Sequence, residues 1–312
     1  MLNADVKEFD FTSNADGLKI DAIIAVPSGE INGILQIVHG MCEYKERYLD
    51  FMDYLAGEGF ICVIHDNRGH GKSLCSEEDR GFLYKNGGQG FVSDIAQLSG
   101  IIRDAYPDAP HFMLGHSMGS LGARCFIKEH DAELDGLIIT GCPCFNRFSS
   151  FARSVNSALS HKLGSHFRSE KINGIIEDMF NKPFTNENTP HSWICSDPEV
   201  VERYNSDPLC NYIFTLNGYE SLLYLLKETY SKKGWQVNKP DLPIRFLSGS
   251  DDPCMISEKK FFKALSLLEN VGYESISHRL FDGMRHEVLN EKNNSIVYKD
   301  IAKTMFSWID RI

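Results

Sequence analysis

No apolar run in the 312-residue chain approaches the roughly 18 residues that a membrane-spanning helix needs, so no integral membrane segment is expected. The opening residues Met-Leu-Asn-Ala-Asp-Val-Lys-Glu-Phe-Asp hold no basic stretch followed by an apolar one; a signal peptide is not expected, and the expected compartment is the cytoplasm. Clusters of Lys and Arg are missing as well. With a formal net charge of −11, nucleic acid is excluded as a partner, because phosphate binding needs such clusters. An anionic membrane would repel the chain on average, yet a locally neutral apolar mouth is compatible with lipid-like substrates, since net charge describes only the far field. Paired cysteine spacing is also absent. The nine cysteines are odd in number and suggest neither a disulfide framework nor a metal site, so most are expected to be free thiols. Cys142 and Cys144, one residue apart after an apolar run, read as core or strand-end residues. Repeats and low-complexity segments are lacking too.

What is present is a rhythm of short apolar runs alternating with helical patterns, which predicts an α/β fold with a mostly parallel central sheet and helices on both faces. Val6–Phe11 and Leu18–Val26 alternate more strictly and predict an antiparallel opening hairpin. Strands are then expected at Gly33–His39, Phe60–His65, His111–Gly115, Leu137–Thr140, Ile244–Ser248 and His278–Phe281. Helical spacing joins Tyr48, Phe51, Met52 and Leu55, then Phe91, Ile95, Leu98 and Ile102, and a last helix is expected from about Ser295 to Ile309. Between about Asn146 and Val237 the strand signal vanishes. The expected organisation is therefore a first core part at 1–145, a helical cap insertion at 146–237 and a second core part at 238–312. Within the insertion, Phe148, Phe151, Ala152, Val155, Ala158 and Leu159 form one stripe, and Ile172, Ile175, Ile176, Met179 and Phe180 another; both are expected to cover something.

Gly115-His116-Ser117-Met118-Gly119 lies between an apolar run and a helix-compatible stretch, Leu121–Lys128. A serine on a sharp strand-to-helix turn needs small neighbours, and the turn aims its hydroxyl away from the sheet, so Ser117 is the expected nucleophile. A hydroxyl is a poor nucleophile near neutral pH and requires a base, itself held by a third group. His286, on a glycine-containing loop after the last expected strand, is the base; His278 begins that strand and lies at the wrong end of the sheet. Asp251 and Asp252 compete for the acid. Asp252 is favoured because Pro253 restricts its backbone, leaving Asp251 to serve the turn. The developing oxyanion needs donors, expected from the backbone N–H groups of Met118 and of Met41, which follows His39-Gly40. Asp66-Asn67-Arg68-Gly69-His70-Gly71-Lys72-Ser73 lacks phosphate-loop spacing and reads as a structural turn.

His39-Gly40 with Glu43, Asp66 with Gly69-His70-Gly71 and Ser73, the serine pentapeptide, Asp252 and His286 together resemble the α/β-hydrolase superfamily. Within it they resemble the monoglyceride lipase and lysophospholipase-like group, which includes serine aminopeptidase-type hydrolases. Tyr204-Asn205-Ser206-Asp207-Pro208-Leu209 is similar to a segment of monoglyceride lipases, whereas Arg285 and Glu287, flanking the base with charge, depart from the pattern. The resemblance implies a helical cap over a catalytic groove, through which a lipid surface could be touched transiently. It further implies hydrolysis of small-molecule acyl esters such as monoacylglycerols or lysophospholipids, without metal or organic cofactor. Two rival functions stay open. One is an aminopeptidase, which would need an anionic pocket from cap residues such as Glu170, Glu177, Asp178 and Glu187; the other is a non-catalytic binding protein on the same fold.

Overall fold

Strict alternation builds the opening hairpin, β1 (Ala4–Thr12) and β2 (Lys19–Pro27), paired antiparallel from Ala4 opposite Pro27 to Thr12 opposite Lys19. The computed structural model describes residues 3–146 and 149–311, with the backbone alone for Ser150; Phe148 of the first cap stripe therefore lies outside the described residues. The continuous apolar runs become strands buried on both faces, as parallel strands covered by helices must be. These are β3 (Gly33–Val38), β4 (Phe60–His65), β5 (His111–His116), β6 (Gly136–Thr140) and β7 (Ile244–Gly249), whereas β8 (Ile276–Phe281), at the edge of the sheet, leaves Ser277, His278 and Arg279 exposed. Among the described residues eight strands make one sheet in the order β1-β2-β4-β3-β5-β6-β7-β8, parallel from β4 to β8. Because β3 is flanked by β4 and β5, the chain reverses its direction of travel beside β3. At such a switch point, loops from the carboxyl ends of adjacent strands diverge and leave a crevice.

Crossover helices close both faces. On one side α1 (Leu49–Gly57) places Phe51, Met52 and Leu55 against Ile37, Ile64 and Leu114, joined by Val297, Ile301 and Met305 of the last helix, Ser295–Ile309. On the other side α2 (Gly87–Ala105) and α3 (Met118–His130) bury Phe91, Ile95, Leu121, Phe126 and Ile127 with Met113 and Ile139.

Between β6 and β7 the described residues contain no strand. The helices there are α4 (Ser149–Leu163), α5 (Glu170–Asn181), α6 (Pro198–Ser206) and α7 (Leu216–Thr229). Side-chain caps explain three of their starts: Ser169, Asp197 and Thr215 accept from Ile172, Glu199 and Gly218 N–H groups, satisfying donors that have no partner within a helix. Helix α7 lies along α2 and α3 and carries α4 on its outer side. The stripes of α4 and α5 only partly find cover. Asn156 and Arg153 make the polar bonds of α4 to Leu216 and Glu220, while Phe151 is 70% and Val155 41% exposed; Ile172 and Ile176 of α5 pack inward, leaving Ile175 61% and Met179 53% exposed.

Candidate active site

The serine turn is built as the strand-to-helix argument requires. Ser117 takes φ 50° and ψ −118° between β5 and α3, a strained backbone for a residue with a side chain. Its neighbours must be glycine: a Cβ on Gly115 would lie 2.7 Å from Ser120 Cα, and one on Gly119 would overlap the Val38 carbonyl oxygen. Met118 begins α3, so its N–H has no partner within the helix and projects from the positive end of the dipole.

Asp252 and His286 meet at the carboxyl ends of β7 and β8. Pro253 starts a single 3₁₀ turn, Pro253–Met255, whose first free N–H, that of Cys254, donates to Asp252 Oδ1 at 2.8 Å. The same oxygen receives His286 Nδ1 at 3.0 Å, and Ser248 Oγ donates to Oδ2 at 3.1 Å. Asp251 instead faces solvent, where Ser250 Oγ donates to it. Burial alone would push the His286 imidazole down, but the Asp252 carboxylate outweighs it and holds the ring well above the ordinary imidazole value. His116 packs beside His286 at 4.8 Å between centroids with the rings tilted by 53°, and burial pushes its own value down to about 3, so it stays neutral.

Ser117 thus lies next to the histidine pair without a hydrogen bond to His286: among the described residues its hydroxyl donates to no side chain of this set. The Nε2 of His286 faces Cys254 Sγ at 4.0 Å. Such bonds are often long before substrate arrives and tighten in the complex.

The loop after β3 is held at both ends of Gly40. Glu43 Oε1 accepts the Gly40 N–H, and His39 Nδ1 lies 2.9 Å from the Gly40 carbonyl. Since Asn67 N–H donates to His39 Nε2 at 2.9 Å, the proton sits on Nδ1 and is given to that carbonyl. Burial drives His39 well below the ordinary value, so this neutral tautomer persists. Across a trans peptide the Met41 N–H then points opposite to the Gly40 carbonyl, away from the His39 ring. A Cβ at Gly40 would stand 3.1 Å from Ser117 Cβ, which puts the loop directly against the serine turn.

Several groups of this site carry no sequence signal of their own. Trp193, from the segment between α5 and α6, covers His286 at 5.0 Å between centroids, and Glu177 anchors its indole N–H at 3.2 Å. Arg47 and Asn67 belong to it too, and only the neighbourhood of His39-Gly40 and Asp66 could have drawn attention to them. The segment that includes Tyr204–Leu209 finds a role: Asp207 accepts the Tyr44 hydroxyl at 2.7 Å and so ties α6 to the loop after β3. Asp66 serves structure, accepting Lys45 Nζ at 2.7 Å and Lys72 N–H at 2.8 Å. Asp252, Cys254 and His286 are the one group among the described residues with metal-ligating atoms together, within 4.8 Å. They suit a metal poorly, because Asp252 Oδ1 already accepts two hydrogen bonds and burial pushes the Cys254 thiol up to about 11, keeping it protonated.

A mostly parallel sheet with a strained serine between strand and helix, and a histidine and aspartate on loops after later strands, defines an α/β-hydrolase. The chain belongs to the family described as serine aminopeptidase, S33, whose pattern matches residues 29–293. It is similar to a monoacylglycerol lipase of Mycolicibacterium smegmatis, 23% identical over 99% of each chain, and to a mouse monoglyceride lipase, 25% identical over 95% of this chain and 90% of that one. A thermostable carboxyl esterase from Bacillus coagulans, solved in complex with glycerol, superposes with a TM-score of 0.90 at 25% identity, covering 97% of this chain and 99% of the other. The protein is a serine hydrolase of the lipase and esterase type. No helix among the described residues is long and apolar enough to cross a membrane.

Proposed function

We propose that the protein hydrolyses carboxylic acyl esters such as monoacylglycerols or lysophospholipids through a Ser117–His286–Asp252 triad and an acyl-enzyme. The observation that carries this reading is the buried His286–Asp252 pair, 3.0 Å apart, adjoining the strained Ser117 turn. Ser117 Oγ attacks the ester carbonyl carbon as its proton passes to His286 Nε2, and Asp252 steadies the resulting imidazolium through Nδ1–H. The carbonyl oxygen becomes an oxyanion between the Met41 and Met118 N–H groups. Collapse breaks the ester bond, and the alcohol leaves with the proton from His286. Water then gives a proton to His286, attacks the acyl-enzyme and releases the fatty acid, restoring Ser117 Oγ–H.

The names of the relatives support an acyl ester as substrate, and the insertion between β6 and β7 acts as a cap over the groove in this reading. Its exposed Phe151, Val155, Ile175 and Met179 provide an apolar face for transient contact with a lipid surface. The family's description favours a second reading, cleavage of an N-terminal peptide bond. Against it, Glu177 is occupied by His191 N–H and the Trp193 indole, and Glu187 by Arg285, so neither is free to receive an amine.

A panel of monoacylglycerols, lysophospholipids and a proline arylamide, run with Ser117→Ala, tests these readings. The ester reading expects turnover of the esters, with the variant reduced by about 10⁶-fold. Full activity of Ser117→Ala would end it, and preference for the arylamide would replace it with the peptidase reading.

A further inference from the structure

Two charges, Arg285 and Glu287, flank the expected base, and Glu287 has a partner far away along the chain. Arg47, on the 3₁₀ turn Lys45–Tyr48, donates from Nη1 to Glu287 Oε1 at 2.9 Å and from Nη2 to Oε2 at 2.7 Å. Its Nη1 also reaches Glu43 Oε2 at 3.1 Å. The other oxygen of Glu43 accepts the Gly40 N–H and the Tyr48 hydroxyl. The three side chains are 12%, 6% and 3% exposed for Arg47, Glu287 and Glu43. An unbroken set of charged hydrogen bonds therefore runs from the residue after His286 to the peptide group before Met41.

One guanidinium facing two buried carboxylates is costly to desolvate, and an apolar cluster of similar volume would often be at least as stable. Its two termini touch the loops that present the base and the oxyanion donor, Glu287 also accepting from Asn290 Nδ2 at 2.9 Å, while the guanidinium lies over the Tyr204 ring of α6. We infer that the Glu43–Arg47–Glu287 chain is a positioning device that fixes the Met41 N–H relative to His286 during acyl transfer. This rests on the reading proposed above and deepens it.

The electrostatics follow the same division. Burial raises the Glu287 carboxyl, but the bidentate Arg47 outweighs it and holds it below the ordinary carboxylate range. Burial raises Glu43 as well, and Arg47 offsets it only in part. With two bonds from Arg47 to Glu287 and one to Glu43, Glu43 is the more loosely held member, shared between Arg47 and the Gly40 N–H. Neutralising Glu287 shifts the guanidinium toward Glu43, draws that carboxylate away from Gly40 and frees the oxyanion loop to turn. A displacement of about 1 Å at a catalytic donor is worth on the order of 10²-fold in rate.

The test uses Glu287→Gln and Arg47→Lys in the full-length protein, with p-nitrophenyl butyrate as substrate and active sites counted by fluorophosphonate titration, so that a partly unfolded variant is still scored. In both, kcat per site is expected to fall by about 10- to 100-fold with KM within about 3-fold of the parent. Affinity for an alkyl boronic acid, which forms a tetrahedral adduct on the serine, should fall in parallel with kcat. Affinity for the product carboxylate should not, a split that a merely structural role would not produce. In the double variant the losses should not multiply. Unchanged kcat in both single variants, or a falling kcat with unchanged boronate affinity, overturns the inference alone. Activity surviving in Ser117→Ala, assayed alongside, overturns it together with the proposed triad.

Discussion

His286 is surrounded by groups that pull its proton affinity in opposite directions, and Asp252 prevails. In the proposed mechanism His286 works only as neutral imidazole, so a raised value means that activity is lost as pH falls through a point above the ordinary 6.5 or so. The acid limb of kcat/KM for p-nitrophenyl butyrate is therefore expected above that value. Asp252→Asn should move the limb downward while lowering kcat by about 10⁴-fold, because the amide no longer holds the ring in its working tautomer. An unmoved limb would show that the carboxylate does not set the base. At the same scale, choosing between neighbours was feasible from sequence in one case: Pro253 pointed to Asp252 over Asp251, and only Asp252 is buried against the histidine. Trp193 had no such neighbour to mark it, and Arg47 had only its nearness to His39-Gly40.

The elements of the insertion differ from those of the sheet in what their apolar residues do. In the strands every apolar side chain is spent on packing, and the expected and observed boundaries differ by a residue or two at most. In α4 and α5 the same helical periodicity yields faces that remain open, since α4 meets α7 through Asn156 and Arg153. Periodicity reports that a stripe exists and cannot report what will cover it. If the face meets a lipid surface, Phe151→Ser with Ile175→Ser should cut hydrolysis of long-chain monoacylglycerol in vesicles about 5- to 30-fold, about 1–2 kcal/mol of lost burial. Hydrolysis of a soluble short-chain ester should stay unchanged. Equal losses on both substrates, measured by fatty-acid release, would place these residues in the catalytic path or the fold instead.

Across the whole molecule, the loop after β3 and the loop after β4 are joined by a buried ion pair. Lys45 and Asp66 side chains are fully buried, 2.7 Å apart, and Asp66 also accepts the Lys45 and Lys72 N–H groups. Removing the carboxylate leaves a buried ammonium with Asp21 and Glu46 as its remaining partners. Asp66→Ala is therefore expected to cost about 3–5 kcal/mol in urea unfolding, whereas Lys72→Ala, whose ammonium is half exposed, should cost under about 1 kcal/mol. Similar costs for the two would mean that burial does not govern this pair.

The amino-acid sequence alone determined the alternation of strands and helices, the strandless stretch between β6 and β7, the serine turn and the order in which Ser117, Asp252 and His286 follow one another. These are local matters, carried by hydrophobic period, glycine and proline, which act over a few residues. Tertiary structure decided which distant groups meet: Arg47 with Glu287, Trp193 over His286, Asp207 with Tyr44, and the open faces of α4 and α5. Such pairings depend on how helices settle on one another and on which charges burial forces together, and neither leaves a periodic trace along the chain.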